Sequence, residues 1–400
     1  MTRLALDGGP PVRRTPMPGW PAYDTEDLDA AHEVLASGRV NYWTGEHGRA
    51  FEVELATSVG TTHAVALANG TVALELALRA AGIGPGHEVI VPAATFIATA
   101  SAVVACGARP VVVDIQHETM TIDPAAAAAA VTEHTAAIVV VHLAGRPAEL
   151  ASLRALADDA ALVLVEDCAQ AHGAAYRDRP VGAWGDIAAW SFCQDKIIST
   201  AGEGGAVTTS DPLLWQRCWE LKDHGKSLAA LRAPGQPGFR WVHEEFGGNA
   251  RMTEIQAAIG RNQLRRLPLW TKQRTANAGV LYDALRGQAA VDAAEPAPWA
   301  EHAYYRFCAR VYPERLAPGW DRDRVVAALL AEGVPARHGG CMEIYRERAF
   351  RRFPGTPASL PVAAELGRTC FALPVHPTLT SADMDDMATA LGKVLEAATA

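Results

Sequence analysis

Between residues 64 and 167 the chain alternates short, continuous apolar runs with segments whose apolar positions recur every three or four residues. The runs at 64–68, 88–92, 110–115, 137–142 and 161–165 have the length of strands, and the stretches 70–81, 97–106, 124–131 and 148–157 between them read as helices. Strands that are apolar throughout are buried on both faces, so the pattern predicts a mainly parallel sheet with helices on either side. In the first of these helices Leu74, Leu76, Leu78 and Ala81 are available for burial. Upstream, residues 1–25 are rich in Gly, Pro and Arg and read as an extended arm. A helix over 25–37 with early acidic residues and Gly38 as its stop follows, then an aromatic loop over 41–48 and a short helix over 51–59.

Downstream, an apolar run at 187–192 leads through Lys196 to the glycine-rich turn Gly202–Gly205, and a helix is expected over 215–221. Residues 233–248 have the Gly and Pro density of a long irregular segment, a kind of loop that usually carries function or disorder. Thr253 and Gln256 have the spacing of a capping box that opens a helix towards Leu267. After it come a strand over 304–311 and helices over 323–331 and 381–397. The expected organisation is an arm over 1–25, a large α/β domain over 26–250 and a smaller α+β domain over 251–400.

The chain has 400 residues, enough for two cores of ordinary size, and its formal charge of -9 disfavours a nucleic-acid or anionic-membrane partner. Its seven cysteines are odd in number and form no CxxC pair, which reads as reduced thiols and not as a disulfide framework or a metal site. The first residues lack the apolar core of a signal peptide, and no apolar run reaches the ~18 residues of a membrane span. The expectation is a soluble, cytoplasmic protein.

Four stretches at strand ends or helix starts carry complementary chemistry. Asn69-Gly70-Thr71 sits where a helix N-terminus can hold a phosphate, although the same residues make an ordinary turn and N-cap. Phe96 follows a strand end, where its ring can stack on a flat ligand or pack in the core. Glu166 and Asp167 close a buried apolar strand and need a partner, either a protonated ring nitrogen or a structural ion pair. Gln170 beyond them can donate to a phenolic oxygen, and His172 can pack nearby. Ser191 offers a second phosphate hydroxyl. Lys196, if desolvated, is an amine nucleophile, whereas a lone lysine on a turn is more often a surface residue. Taken together the four describe one molecule, pyridoxal 5'-phosphate (PLP), with a phosphate, a flat ring, a basic ring nitrogen and an aldehyde.

The segments NGTVALELAL, HEVIVPAATFIA, EDCAQAHGA, SFCQDKIISTAGEGG and GGNARMTEIQAAIG, in this order, resemble the DegT/DnrJ/EryC1/StrS family of sugar aminotransferases, from about Pro18 almost to the C-terminus. The resemblance implies the fold-type I PLP architecture, a three-layer α/β/α large domain with a smaller α+β domain. It implies Lys196 as the Schiff-base lysine, Asp167 as the partner of the pyridine nitrogen and Gln170 as the residue near O3'. Phe96 matches the ring-stacking aromatic, and Gly70, Thr71 and Ser191 match the phosphate binders. Asn249 matches an asparagine that reaches the phosphate from a neighbouring subunit, which implies a homodimer with shared sites. Where relatives often have an aromatic after that asparagine, this chain has Ala250. Lys196 also separates the chain from relatives with histidine there, which act as sugar 3-dehydratases.

The implied reaction moves an amino group from L-glutamate or L-glutamine to a ketone of a nucleotide-linked deoxysugar. The segments LALDGGPPVR and GWPAYD also resemble branches acting on cyclitol ketones or making 3-amino-5-hydroxybenzoate. A regulatory homologue without turnover is the third reading, and retention of Lys196 and Asp167 speaks against it. Arg251, Lys226 and Arg240 are candidates to face a substrate diphosphate. Tyr42, Trp43 and His224, with Tyr305, His338 and Tyr345 from the smaller domain, are candidates to line the sugar pocket. For each of these, packing or solvation is the competing reading.

Overall fold

The computed structural model describes residues 3–233 and 241–399. Its first half follows the apolar pattern closely. Helix α1 (Thr25–Ser37) opens with a capping box between Asp24 and Asp27 and ends at Gly38, whose φ of 69° a glycine adopts without strain. Helix α2 (His47–Val59) follows, longer at its start than the apolar residues alone suggest. Then strands and helices alternate: β1 (His63–Leu67), α3 (Gly70–Ala80), β2 (Glu88–Pro92), α4 (Ala98–Ala105), β3 (Arg109–Val113), α5 (Pro124–Ala129), β4 (Thr135–Val141), α6 (Leu150–Asp159) and β5 (Val163–Asp167). The short strands β6 (Ala175–Tyr176) and β7 (Arg179–Pro180) form a hairpin before β8 (Ile187–Ser191) and β9 (Gly205–Thr209).

Seven of these strands form one sheet in the order β1-β9-β8-β5-β4-β2-β3. Pairings among β3, β2, β4, β5 and β8 are parallel, and β9 enters antiparallel between β8 and β1. One face packs on Leu74, Leu78, Val103 and their neighbours, the other on Phe51, Leu55, Leu153 and Ala157. Apolar side chains on both faces are the reason these strands read as continuous apolar runs. The architecture is α/β, and every parallel strand delivers its carboxyl end to the same side.

Helix α7 (Pro212–Lys222) and the short α8 (Leu228–Arg232) lead to α9 (Glu254–Leu285), which opens with the expected Thr253–Gln256 capping box. It does not stop near Leu267: it continues through Pro268. Trp270, Arg274, Asn277, Leu281 and Leu285 are buried at helical spacing beyond the proline. Packing of that stripe, first beside α1 and α2 and then beside α12, outweighs the hydrogen bond the proline removes.

The remaining elements are β10 (Val291–Asp292), β11 (Ala300–Glu301), β12 (Phe307–Val311), α10 (Arg322–Ala331), β13 (Arg337–His338), α11 (Pro361–Thr369), β14 (Cys370–Leu373) and α12 (Ser381–Ala398). They build a second sheet, β10-β12-β14-β13, with its own core of Phe307, Phe371, Leu329 and Leu391. The N-terminal arm is tied down: Arg13 Nη1 lies 2.7 Å from Asp383 of α12, and Trp20 donates to the carbonyl of Lys196 at 2.7 Å. No helix of the described residues is long and apolar enough to cross a membrane.

Candidate active site

Side chains alternate along a strand, so the two acids that end β5 face opposite ways. Glu166 is fully buried and accepts from the Gly182, Trp184 and Gly185 amides at 2.8, 2.8 and 2.6 Å. It also meets His142 Nε2 at 3.0 Å. His142 Nδ1 accepts the Ala148 amide, so the ring proton sits on Nε2 and is donated to Glu166. Burial acts upward on this carboxyl, yet His142 and the amides together hold it below the usual range. With Cys168 these two residues form a compact cluster of potential metal ligands. Its polar atoms already satisfy one another, and the pair is structural.

Asp167 faces the other way, into a cavity of about 880 Å³ at the carboxyl ends of the parallel strands. It has two donors, the Thr99 hydroxyl at 2.9 Å and the Ala169 amide at 3.1 Å. Thr99 is contacted in turn by the Thr95 hydroxyl at 2.7 Å. Thr99 has one proton and gives it to the carboxylate, so Thr95 must donate to Thr99. Burial pushes the Asp167 carboxyl up, and its two donors and the distant Lys196 charge only partly offset this. A buried carboxylate so placed is stabilised by a cationic N–H entering the cavity.

The same cavity collects Gly70, Thr71, Phe96, Gln170, Ser191, Lys196, Tyr305 and His338. The Asn69 side chain caps α3 by accepting the Val72 amide, while the Gly70 and Thr71 amides meet no acceptor among the described residues. A Cβ on Gly70 would stand 2.6 Å from Ser191 Cβ, and one on Gly205 2.3 Å from Asn69 backbone. Only glycines let α3 and the β8–β9 corner approach this closely. The corner therefore presents free amides and two hydroxyls where a phosphate fits. Gln170 Oε1 accepts the Ala144 amide at 2.7 Å, which directs its NH2 group to the remaining space. Phe96 is not a core aromatic: it is 65% exposed, on the wall of the cavity.

Lys196 Nζ lies 4.9 Å from the Tyr305 ring centroid and 3.9 Å from Asp195 Oδ1. Tyr305 donates to Asp195, joining the lysine loop to the strand-leading segment of the smaller sheet. His172 is buried beside Trp190 and Phe192 with neither ring nitrogen hydrogen-bonded. Burial, then the Lys196 and Arg274 charges, push its pKa down to about 3, so it packs as a neutral ring.

Other sequence candidates lie elsewhere in this chain. Tyr42 is buried, donating to Glu52 at 3.1 Å and accepting from Trp219 at 3.3 Å. Trp43 is at the surface with Lys226 Nζ 4.8 Å from its ring centroid. Lys226 and Arg251 both pair with buried Asp223, at 3.0 and 2.8 Å, and neither is a free cation for a diphosphate. His224 and Asn249 are exposed outside the cavity. Tyr345 is buried and donates to Glu343 at 2.5 Å. Arg240 lies outside the described residues. Thr99, Asp195, Arg306 and Arg337, which line or support the cavity, were not among the sequence candidates. Thr99 carries a signal, standing one helical turn after Thr95; Arg306 and Arg337 carry none, since only the tertiary fold brings them to the cavity.

A model of the DegT/DnrJ/EryC1/StrS aminotransferase family matches residues 21–392. The L-glutamine:2-deoxy-scyllo-inosose aminotransferase of Micromonospora echinospora is 37% identical over 407 residues, 97% of this chain and 96% of that protein. The dTDP-3-amino-3,4,6-trideoxy-alpha-D-glucose transaminase of Streptomyces venezuelae is 38% identical over 365 residues, covering 88% of this chain and 91% of that protein. An X-ray structure of the aminotransferase from Psychrobacter cryohalolentis superposes with a TM-score of 0.93 at 45% identity, over 95% of this chain and 99% of that one. The chain belongs to the DegT/DnrJ/EryC1/StrS aminotransferase family, whose known cofactor is PLP.

Proposed function

We propose that this family member binds PLP through Lys196 and transfers an amino group from L-glutamine or L-glutamate to a ketone of a nucleotide-linked deoxysugar. The observation that carries the reading is the convergence of Lys196, Asp167, Gln170, Ser191 and the Gly70–Thr71 amides on one cavity. Each group has a task there. The amides and the Ser191 and Thr71 hydroxyls hold the phosphate, and Phe96 covers one face of the ring. Gln170 donates to the phenolic oxygen through its free NH2 group. Asp167 holds a proton on the pyridine nitrogen, which relieves its own burial. When bound, PLP supplies an aldehyde that condenses with amines and a cationic ring that accepts electrons. Lys196 would hold the cofactor and, as an amine at the site, would move the proton of the donor carbon. Asn249, exposed and away from its own chain's cavity, serves the phosphate of a second copy in a homodimer.

A cyclitol ketone is the second acceptor reading. Similarity to a scyllo-inosose aminotransferase over nearly the whole chain favours keeping it. Purified protein supplied with PLP should be yellow, and the band should shift on adding L-glutamine or L-glutamate. Lys196→Ala should lose the borohydride-reducible adduct. A screen of dTDP- and UDP-linked 3-keto and 4-keto sugars against scyllo-inosose decides the acceptor. A protein that neither colours nor forms an adduct at Lys196 refutes the reading.

A further inference from the structure

A second cavity of about 490 Å³ adjoins the first, roofed by arm residues 16–20 and sharing Asp195, Tyr305, Arg306 and Arg337 with it. Its other polar walls are Arg274 and His376. Three arginines and one carboxylate thus line a space that adjoins the cofactor cavity.

Two of the three are engaged. Arg274 is 1% exposed, donates to the Tyr304 carbonyl at 3.0 Å and lies 5.1 Å from the Trp20 ring centroid. Its Nε, buried in the wall, has no hydrogen-bond partner. Arg306 lies 3.5 Å from Asp195 and 3.3 Å from the Tyr305 hydroxyl. Arg337, on β13, has no carboxylate or hydrogen-bond partner among the described residues, and it lines both cavities. Neighbouring groups register the positive field. Burial, then the Arg274 charge, hold His376 at about 4, and Arg306 adds to this. Burial, with Arg306 again, brings Arg274 down to about 9.

Resting on the PLP-aminotransferase reading, we propose that Arg337, with Arg306 beside it, forms an anion subsite that receives the charged group of a substrate. Arg306 and Lys196 each lie about 5 Å from the Tyr305 ring centroid, and Arg337 lines the same cavity as all three. A carboxylate and a phosphate both match the planar fork of an unpaired arginine. The first would come from the amino donor and the second from a nucleotide-linked acceptor. Arg251 and Lys226 are neutralised on Asp223 and do not compete for this role.

The test uses full-length, PLP-loaded protein and two unreactive probes, glutarate for the donor and dTDP for the acceptor, titrated calorimetrically into wild type and Arg337→Ala. Loss of one charge-assisted contact should weaken the relevant probe roughly tenfold or more. Arg337→Lys should recover part of the loss. A glutarate-only effect assigns the subsite to the donor, a dTDP-only effect to the acceptor, and an effect on both to the two half-reactions in turn. Equal binding of both probes by wild type and Arg337→Ala, or no binding to wild type, overturns the proposal. The visible band at Lys196, recorded on the same samples, reports separately whether the PLP reading holds.

Discussion

Replacing Asp167 by Asn removes a charge and little else. The Asn oxygen can keep the Ala169 amide bond, now 3.1 Å, and its NH2 group would face Thr99, whose hydroxyl can turn to accept it. The Thr95–Thr99 contact survives with its donor reversed, so no buried polar atom loses its partner and the cost to the fold should stay near 1 kcal/mol. The cost to chemistry is larger. A cationic ring nitrogen placed against this carboxylate forms a buried ion pair, and deleting one member of such a pair costs about 3–5 kcal/mol. If that pairing persists into the transition state, the loss corresponds to roughly two to four orders of magnitude in rate. The assay is single-turnover decay of the visible band on mixing loaded enzyme with L-glutamine or L-glutamate. A parallel thermal melt serves as the control. Asp167→Asn that melts like wild type and reacts within threefold of it would refute the assignment of Asp167.

The neighbouring acid should behave in the opposite way. Glu166→Gln puts an NH2 group among the donors of His142, Gly182, Trp184 and Gly185, so it should lose about 3–5 kcal/mol of stability by denaturant titration. An unchanged midpoint would contradict its structural role. Gly70→Ala places a methyl 2.6 Å from Ser191 Cβ and should weaken PLP binding by roughly 1–3 kcal/mol, about fivefold to a hundredfold, in a spectral titration. Lys222 is buried with no hydrogen-bond partner, 3.6 Å from the Tyr42 ring centroid, and burial brings its pKa down to about 8. Between pH 8 and the unfolded value the unfolded chain binds more protons, so the wild type should gain stability with rising pH relative to Lys222→Met. Melting temperatures of the two proteins that differ by a constant amount from pH 8 to 10 would remove Lys222 as the cause.

Most of the large sheet is legible because each parallel strand is an uninterrupted apolar run, and its boundaries move by only one or two residues in the structure. Strand β9 is not legible in this way: it begins at Gly205, inside what reads as a turn, and becomes a strand by pairing with β1 and β8. The two-residue strands β6, β7, β10, β11 and β13 have no local pattern at all and exist through their partners. At the site, Asp167, Gly70 and Ser191 are readable because each sits at the end of a readable strand or the start of a readable helix, and Lys196 follows in the turn after β8. The choice between Glu166 and Asp167 is not readable from their adjacency. The two differ in the face each takes on β5: the amides at residues 182–185 return to meet Glu166, while Asp167 lines the cavity.

The cationic side chains show the same division more sharply. Arg251 and Lys226 stand in a loop with the sign and position expected of diphosphate binders, yet Asp223 sits buried between them and takes both. Removing either cation from so buried an acid is costly, so neither is released easily for a ligand. Arg337 has no sequence neighbour that marks it out. Pairing of β13 with β14 places it at the cavity, and among the described residues its fork has no acceptor. A chain with a formal charge of -9 repels anions on average, so an anionic substrate depends on such a local reversal of sign. Asp195 limits that reversal by engaging Arg306 and the Tyr305 hydroxyl beside Lys196. The arrangement keeps one guanidinium free while a carboxylate remains 3.9 Å from the lysine amine. On the proposed reading, attraction of a substrate's charge falls to Arg337, while Asp195 stays beside the lysine amine.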